Sequence, residues 1–288
     1  MPDTVIETHD LTVTYGRHRG ISNVNLTVTE GEVFGFLGPN GAGKTTTQRV
    51  LLDVIRPTSG SASIFGLDSR RDGPSIRGRV GYLPGDLTLY DSMTARAFLA
   101  MAASLETRPV DPAWRDELCD RLELDPGRRI REYSRGNRQK VGIVAAFMSR
   151  PDLVILDEPT TGLDPLVQQT VMELVREARR DGRTVFFSSH ILQEVQAVCD
   201  RVGIIREGEL VKTESVEGLT RRQFTRLRLT LRRNPAPGAF DTEHVTEVSR
   251  DDATLLLEVR GDLERTLRDA LEYGIVDLKT VPITLEEV

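Results

Sequence analysis

The chain has 288 residues, a net charge of −6 and 28% charged residues, and its basic side chains are four lysines beside 34 arginines with no long block of one sign. That length fits one large α/β domain plus a small appendage, and the acidic balance argues against a protein that coats nucleic acid. Met1 to Asp10 shows no basic segment leading into an apolar run, stretches such as Ile143 to Met148 fall far short of the roughly 20 residues that cross a bilayer, and Cys119 and Cys199 lack metal-like spacing. A soluble, non-exported chain with two reduced thiols is expected.

Residues 4 to 37 alternate apolar and polar positions in short runs (Leu11–Tyr15, Leu26–Val28, Val33–Leu37) punctuated by Gly16, Gly20 and Gly31, a strand pattern. They lead into Gly38-Pro39-Asn40-Gly41-Ala42-Gly43-Lys44-Thr45-Thr46, the Gly-x-x-x-x-Gly-Lys-Thr phosphate loop. Its glycines let the chain curl so that successive amides face one anion, and the helix that starts at Lys44 adds its positive end. Lys44 is placed to reach the terminal phosphates of a nucleoside triphosphate, and the Thr45 hydroxyl to sit on magnesium.

A helical pattern runs from Thr45 to about Val54 and ends at Arg56-Pro57, before a turn at Ser59-Gly60 and a strand pair at 61–65 and 79–83. Between Asp86 and Arg150 the period turns helical, with helices expected over Thr94–Leu105, Trp114–Leu122 and Gln139–Met148. Strands return at Leu153–Leu156 and Thr184–Ser188 around a helix at Leu166–Arg179, the rhythm of a parallel sheet. A hairpin over Asp200–Val211 turns at Glu207-Gly208. After Gly218 the chain is Arg-rich, passes a linker signal at Asn234–Gly238, and ends in a small α+β tail: Thr254–Val259, a helix at Leu263–Tyr273, and Ile275–Thr280.

The apolar run Leu153–Leu156 ends in Asp157-Glu158-Pro159, which sets two carboxylates at the ligand edge of a parallel sheet. Asp157 is the candidate for the magnesium water shell opposite Thr45, and Glu158 for orienting or deprotonating the attacking water.

Taken with Tyr133-Ser134-Arg135-Gly136-Asn137 ahead of a helix, with Thr161-Gly162-Leu163-Asp164-Pro165 and with His190, residues 4 to about 215 resemble the nucleotide-binding subunit of an ATP-binding cassette (ABC) transporter. The resemblance implies an α/β P-loop NTPase core over 1–218, with a β subdomain and an inserted helical subdomain at about 86–150, then a small C-terminal α+β domain over 219–288. It implies ATP and Mg2+ as ligands, Tyr15 stacking on adenine, His190 contacting the γ-phosphate, and Asp164 at a dimer seam while also capping the next helix. The turn Ser134–Gly136 precedes a helix and is a second amide-rich anion site. One chain thus holds half of each site, so a homodimer or heterodimer is expected, with ATP between the Lys44 loop of one copy and the Ser134 turn of the other. A separate membrane permease is the expected partner, docked near Asp86–Thr94 and the helical subdomain on the cytoplasmic face of the membrane, with no nucleic acid.

The chain departs from that family at three places. Gly85 stands where a Gln is usual, so that Asp86 substitutes in a shifted register or magnesium gains a water. The signature has Tyr133, Arg135 and Asn137 for Leu, Gly and Gln; Arg135 adds charge near the γ-phosphate or points to solvent. Such variants resemble drug and antibiotic efflux subunits. Leu285-Glu286-Glu287-Val288 resembles the start of a Leu-Glu-Glu-Val-Phe-Leu segment, and a trimmed C-terminal end is expected. Two rival readings are a soluble ABC-type factor acting on ribosome or DNA, and an ATP-binding regulatory subunit with weak hydrolysis.

Overall fold

In the computed structural model, which describes residues 3–16, 18–222, 225–261 and 263–281, the N-terminal period-two runs fold as β1 (Thr4–Tyr15) and β2 (His18–Thr29), paired antiparallel. The fully buried β3 (Val33–Leu37) then feeds the phosphate loop and α1 (Lys44–Leu51). β4 (Ser59–Ile64) and the two-residue β5 (Leu67–Asp68) complete an antiparallel sheet in the order β2-β1-β4-β5. α2 (Gly73–Arg77) and β6 (Val80–Leu83) follow.

Three helices make up the block between β6 and the next strand: α3 (Ala95–Leu105), α4 (Pro112–Arg121) and α5 (Arg135–Phe147). Each starts on a side chain that accepts a backbone N–H: Thr94 from Ala97, Asp111 from Ala113, Ser134 from Asn137. Then come β7 (Leu153–Asp157), α6 (Pro165–Arg180), β8 (Thr184–Ser189), α7 (Leu192–Val198), and the hairpin of β9 (Arg201–Arg206) and β10 (Glu209–Ser215). Its turn residues Glu207 and Gly208 both have positive φ, 51° and 83°, as a tight hairpin requires.

These strands form a six-stranded sheet in the order β10-β9-β3-β8-β7-β6, in which β9, β3, β8, β7 and β6 are parallel neighbours. Helical crossovers join parallel strands and cover the sheet, which is why β3 and β7 read as unbroken apolar runs. Phe186 of β8 packs against Phe34 and Phe36 of β3 with ring centroids 5.9 and 5.3 Å away. Each such ring contributes roughly 1.5–3 kcal/mol by burial.

The chain divides into two compact units, Met1–Val216 and Glu217–Val288. After α8 (Val216–Arg222), the second unit is an antiparallel sheet of β11 (Thr225–Leu231), β12 (Val245–Asp251), β13 (Thr254–Val259) and β14 (Ile275–Val281), with α9 (Leu263–Tyr273) before the last strand. The order is β12-β13-β11-β14. Leu227, Leu229, Leu231, Leu255, Leu257 and Val259 alternate onto one face and bury against Phe240 and Ala270.

Several expectations are corrected. Ser59-Gly60 is not a turn but the start of β4, and the segments at 61–65 and 79–83 are not a pair: β4 joins the antiparallel sheet and β6 the parallel one. α1 stops at Leu51, short of Val54, and α5 begins at Arg135, ahead of Gln139, because the Ser134 cap fixes its start. β5, α2, α7, α8, β11 and β12 were not anticipated. The segment Leu285–Val288 lies outside the described residues.

Candidate functional site

Three adjacent parallel strands, β3, β8 and β7, end level with one another: Leu37 pairs with Ser189, and Ser188 with Asp157. The phosphate loop, His190 and the Asp157-Glu158 pair therefore emerge side by side at the carboxyl edge of the sheet, where such folds bind ligands.

Gly43, with φ at +107°, sits just before α1, and a Cβ there would come within 2.5 Å of Ile21, so no other residue fits the turn. Lys44, almost wholly buried, donates through Nζ to the carbonyls of Gly38 (2.6 Å) and Pro39 (3.2 Å), and its Nζ stands 3.1 Å from Glu158 Oε1. That last contact is an ion pair by distance and not by angle, since Glu158 Oε1 is buried with no hydrogen-bond donor aimed at it.

Asp157 is buried beneath the loop. Its Oδ2 accepts from Thr45 Oγ1 and its Oδ1 from Ser188 Oγ, both at 2.6 Å, with Gln48 Nε2 at 3.5 Å. The carboxylate also helps to push the partly buried Tyr82 phenol up to about 12, after burial itself. Glu158 has φ at +54°, a left-handed conformation that costs a non-glycine residue on the order of 1 kcal/mol and persists only where surroundings enforce it. Gln139 Nε2 donates to the carbonyls of Glu158 and Pro159 at 3.3 Å, and His190 Nδ1 lies 2.5 Å from Glu158 Oε2. Behind His190, Glu194 accepts from Thr160 Oγ1 and Ser189 Oγ, both at 2.5 Å, tying the turn after Glu158 to the end of β8.

A cavity of about 570 Å³ opens over these groups. Among the expected site residues, Tyr15, Asn40, Gly41, Gly43, Lys44, Thr45, Thr46, Asp86, Arg135, Asp157, Glu158 and His190 line it. Tyr15 is half exposed, its ring over Gly20, where a Cβ would meet it at 2.9 Å. Ala42 is buried in the loop beneath, near Gly38. Arg135 is exposed and stands at this cavity, and Thr161 and Arg49, which the sequence did not single out, line it as well. So the structure brings the phosphate loop, both carboxylates and the histidine together.

It does not bring Ser134, Gly136, Asn137 or Asp164 to the same cavity. Ser134 caps α5, and Asp164 caps α6 by accepting from Val167 N at 3.1 Å. Gly136 is pressed onto the turn after Glu158: a Cβ there would stand 2.5 Å from the Gly162 carbonyl oxygen. Tyr133 is buried and its hydroxyl donates to the Asp125 carbonyl, which makes it an anchor of the helical block.

The oxygens around Thr45 and Asp157 fit magnesium, which takes one or two carboxylates together with substrate phosphates. The bare Gly85 leaves the room: a Cβ there would be 2.9 Å from Asp157 Oδ2. Gln48, Ser188 and Glu194 escaped the sequence reading because they hold other residues and belong to no spaced motif.

Comparison with known proteins finds relatives over most of the chain. The ABC transporter family profile matches residues 21–161. The bacitracin transport ATP-binding protein BcrA of Bacillus licheniformis is 35% identical over 99% of the chain and 94% of its own length. An ABC transporter ATP-binding protein of Nostoc sp. is 41% identical over 71% of the chain, which spans 62% of that relative's length. A dimeric post-hydrolysis ATP-binding cassette bound to ADP and Pi superposes with a TM-score of 0.67 at 23% identity, over 73% of this chain and 98% of that one.

Proposed function

The chain belongs to the ATP-binding ATPase subunits of ABC transporters, and from that premise we propose that it powers export through a separate membrane permease by closing a two-copy ATP sandwich. The observation that carries the sandwich is the split geometry: the Lys44 loop lines the cavity, while Ser134 and Gly136 of the same chain stand outside it at a second helix start. The fold relative that is a dimer bound to ADP and Pi supports the same arrangement. The bacitracin transport relative supports an antibiotic-type cargo.

Before nucleotide binds, Lys44 and Glu158 neutralise each other. A triphosphate entering over the loop competes for Lys44 and takes its ammonium, which frees the Glu158 carboxylate. His190 and Thr161 then hold that carboxylate in place to orient a water and accept its proton. Magnesium, when held by Thr45 and Asp157, offsets charge on the phosphate oxygens. Arg135 brings a further cation to its own copy's cavity, and Tyr15 offers a ring face to the base. Hydrolysis removes the phosphate shared by the two copies and with it the preference for the closed form.

Permease docking is assigned to 86–94 and the helical block at the cytoplasmic face of the membrane, where Tyr90 is exposed and packs tilted against Phe98 with ring centroids 6.3 Å apart. The test is Mg-ATP turnover by the chain alone and with its cognate permease in vesicles. Turnover coupled to export supports the proposal. Binding without turnover in both settings means a regulatory subunit instead.

A further inference from the structure

The outer strand of the C-terminal unit has a sequence that complements itself. β14 ends its sheet, paired with β11 on one side and, among the described residues, with no strand on the other. Residues 276–280 are exposed along their length. Leu278 stands opposite the fully buried Leu229, so its side chain is on the core face, yet it is 40% exposed, and Val276 is 62% exposed. Helix α9 does not cover them. Its Arg265 and Asp269 line a cavity with Val245 of β12, which sets that flank over the opposite edge. Leu271, two residues and so about 200° round the helix from Asp269, is 65% exposed.

Edge strands commonly carry a charge that keeps a second copy away. Lys279 by itself has that effect. Asp277 reverses it in one register: when two β14 strands run antiparallel centred on Leu278, each Asp277 faces the Lys279 of the other copy, Leu278 meets Leu278, and Ile275 meets Val281. Centring the pair on Asp277 or on Lys279 sets like charges face to face, which is unfavourable. Within one chain Lys279 Nζ is 2.9 Å from Asp277 Oδ2, so pairing exchanges partners and strands neither charge.

We propose that β14 joins two copies of this chain edge to edge, antiparallel about Leu278, without nucleotide. The contact is small and belongs to the weak, transient class of interfaces. It is independent of the ATP sandwich, so the experiment omits nucleotide and its outcome is separate from that reading.

The full chain is examined by sedimentation equilibrium at roughly 0.1 mM, a concentration suited to a weak interface, and by oxidative cross-linking of Leu278→Cys. Both natural thiols are buried, with burial pushing Cys119 up to about 11 and Cys199 well above the usual thiol range, so the introduced exposed thiol is the reactive one. Leu278→Cys is expected to form a disulfide-linked dimer, and Val248→Cys on the opposite edge strand is not. Asp277→Lys is expected to weaken the dimer about tenfold, as is Lys279→Asp, while the double exchange restores it to within about threefold. A monomer at that concentration, equal cross-linking at the two positions, or no rescue by the double exchange overturns the proposal and leaves the edge to another occupant.

Discussion

Lys44 Nζ and Glu158 Oε1 stand 3.1 Å apart, so the cation of the phosphate loop and a carboxylate of the cavity face each other, the pair that a phosphate is proposed to separate. Glu158→Gln removes the competing charge and the proton acceptor together. Nucleotide binding is expected to persist or tighten, while turnover falls by about 10²–10⁴-fold and an ATP-bound dimer accumulates. Equilibrium binding, phosphate release and gel filtration with Mg-ATP read the three effects. A variant that hydrolyses at the parental rate removes Glu158 from the mechanism.

Gly85→Ala puts a methyl 2.9 Å from Asp157 Oδ2, a side chain fixed by Thr45 and Ser188 and unable to retreat cheaply. The magnesium concentration for half-maximal turnover is expected to rise about tenfold, in line with other disturbances around metal ligands. Unchanged magnesium dependence shows that Asp157 does not serve the ion.

Glu194 touches neither the cavity nor a phosphate, yet it fastens Thr160 to Ser189 on either side of the Glu158–His190 contact. As a positioning residue, its change in Glu194→Ala is expected to lower kcat about tenfold with little change in KM. If KM alone rises, the carboxylate acts on binding and the positioning role fails.

Asp152 accepts from both terminal nitrogens of Arg108 at 2.8 Å and from Arg79 Nε at 2.7 Å, fastening the loop after α3 to the start of β7. Arg108 above all holds this carboxyl below the usual carboxylate range; burial opposes it, and Arg79 adds to the lowering. A carboxyl depressed in the folded state stabilises fully above its unfolded pKa and loses that contribution as pH falls through the folded value. Asp152→Asn is therefore expected to cost about 1 kcal/mol near neutrality, a figure discounted for partial exposure, with the gap to the parent closing below about pH 4. Thermal unfolding across that range checks it, and a gap that stays constant with pH refutes the assignment.

The nucleotide edge was legible because its residues are bound to short spacings: a loop needing glycine, lysine and threonine within nine positions announces itself, and so does an apolar strand closing on two acids. Which sheet a strand joins is not local. β4 and β6 both read as short strands, and only the antiparallel pairing of Ile6 with Ile64 and the parallel pairing of Val80 with Leu153 assign them to different sheets. β11 was hidden by its own arginines, since Arg226 and Arg228 alternate with the buried Leu227 and Leu229 and make a strand read as a charged stretch. The carboxylate of Glu194 reaches its partners from α7, a seven-residue helix too short to leave a periodic trace.

The helical block is inserted between β6 and β7, which lie next to each other, so it is mounted at both ends on a single pair of rails. One rail leads to Gly85 and the other ends at Asp157, so close that a Cβ added at Gly85 would stand 2.9 Å from Asp157 Oδ2. If the proposed permease loads this block, the load reaches the nucleotide as slippage between neighbouring strand tips. With no side chain at Gly85 to cushion it, the first thing such slippage moves is the carboxylate that Thr45 grips.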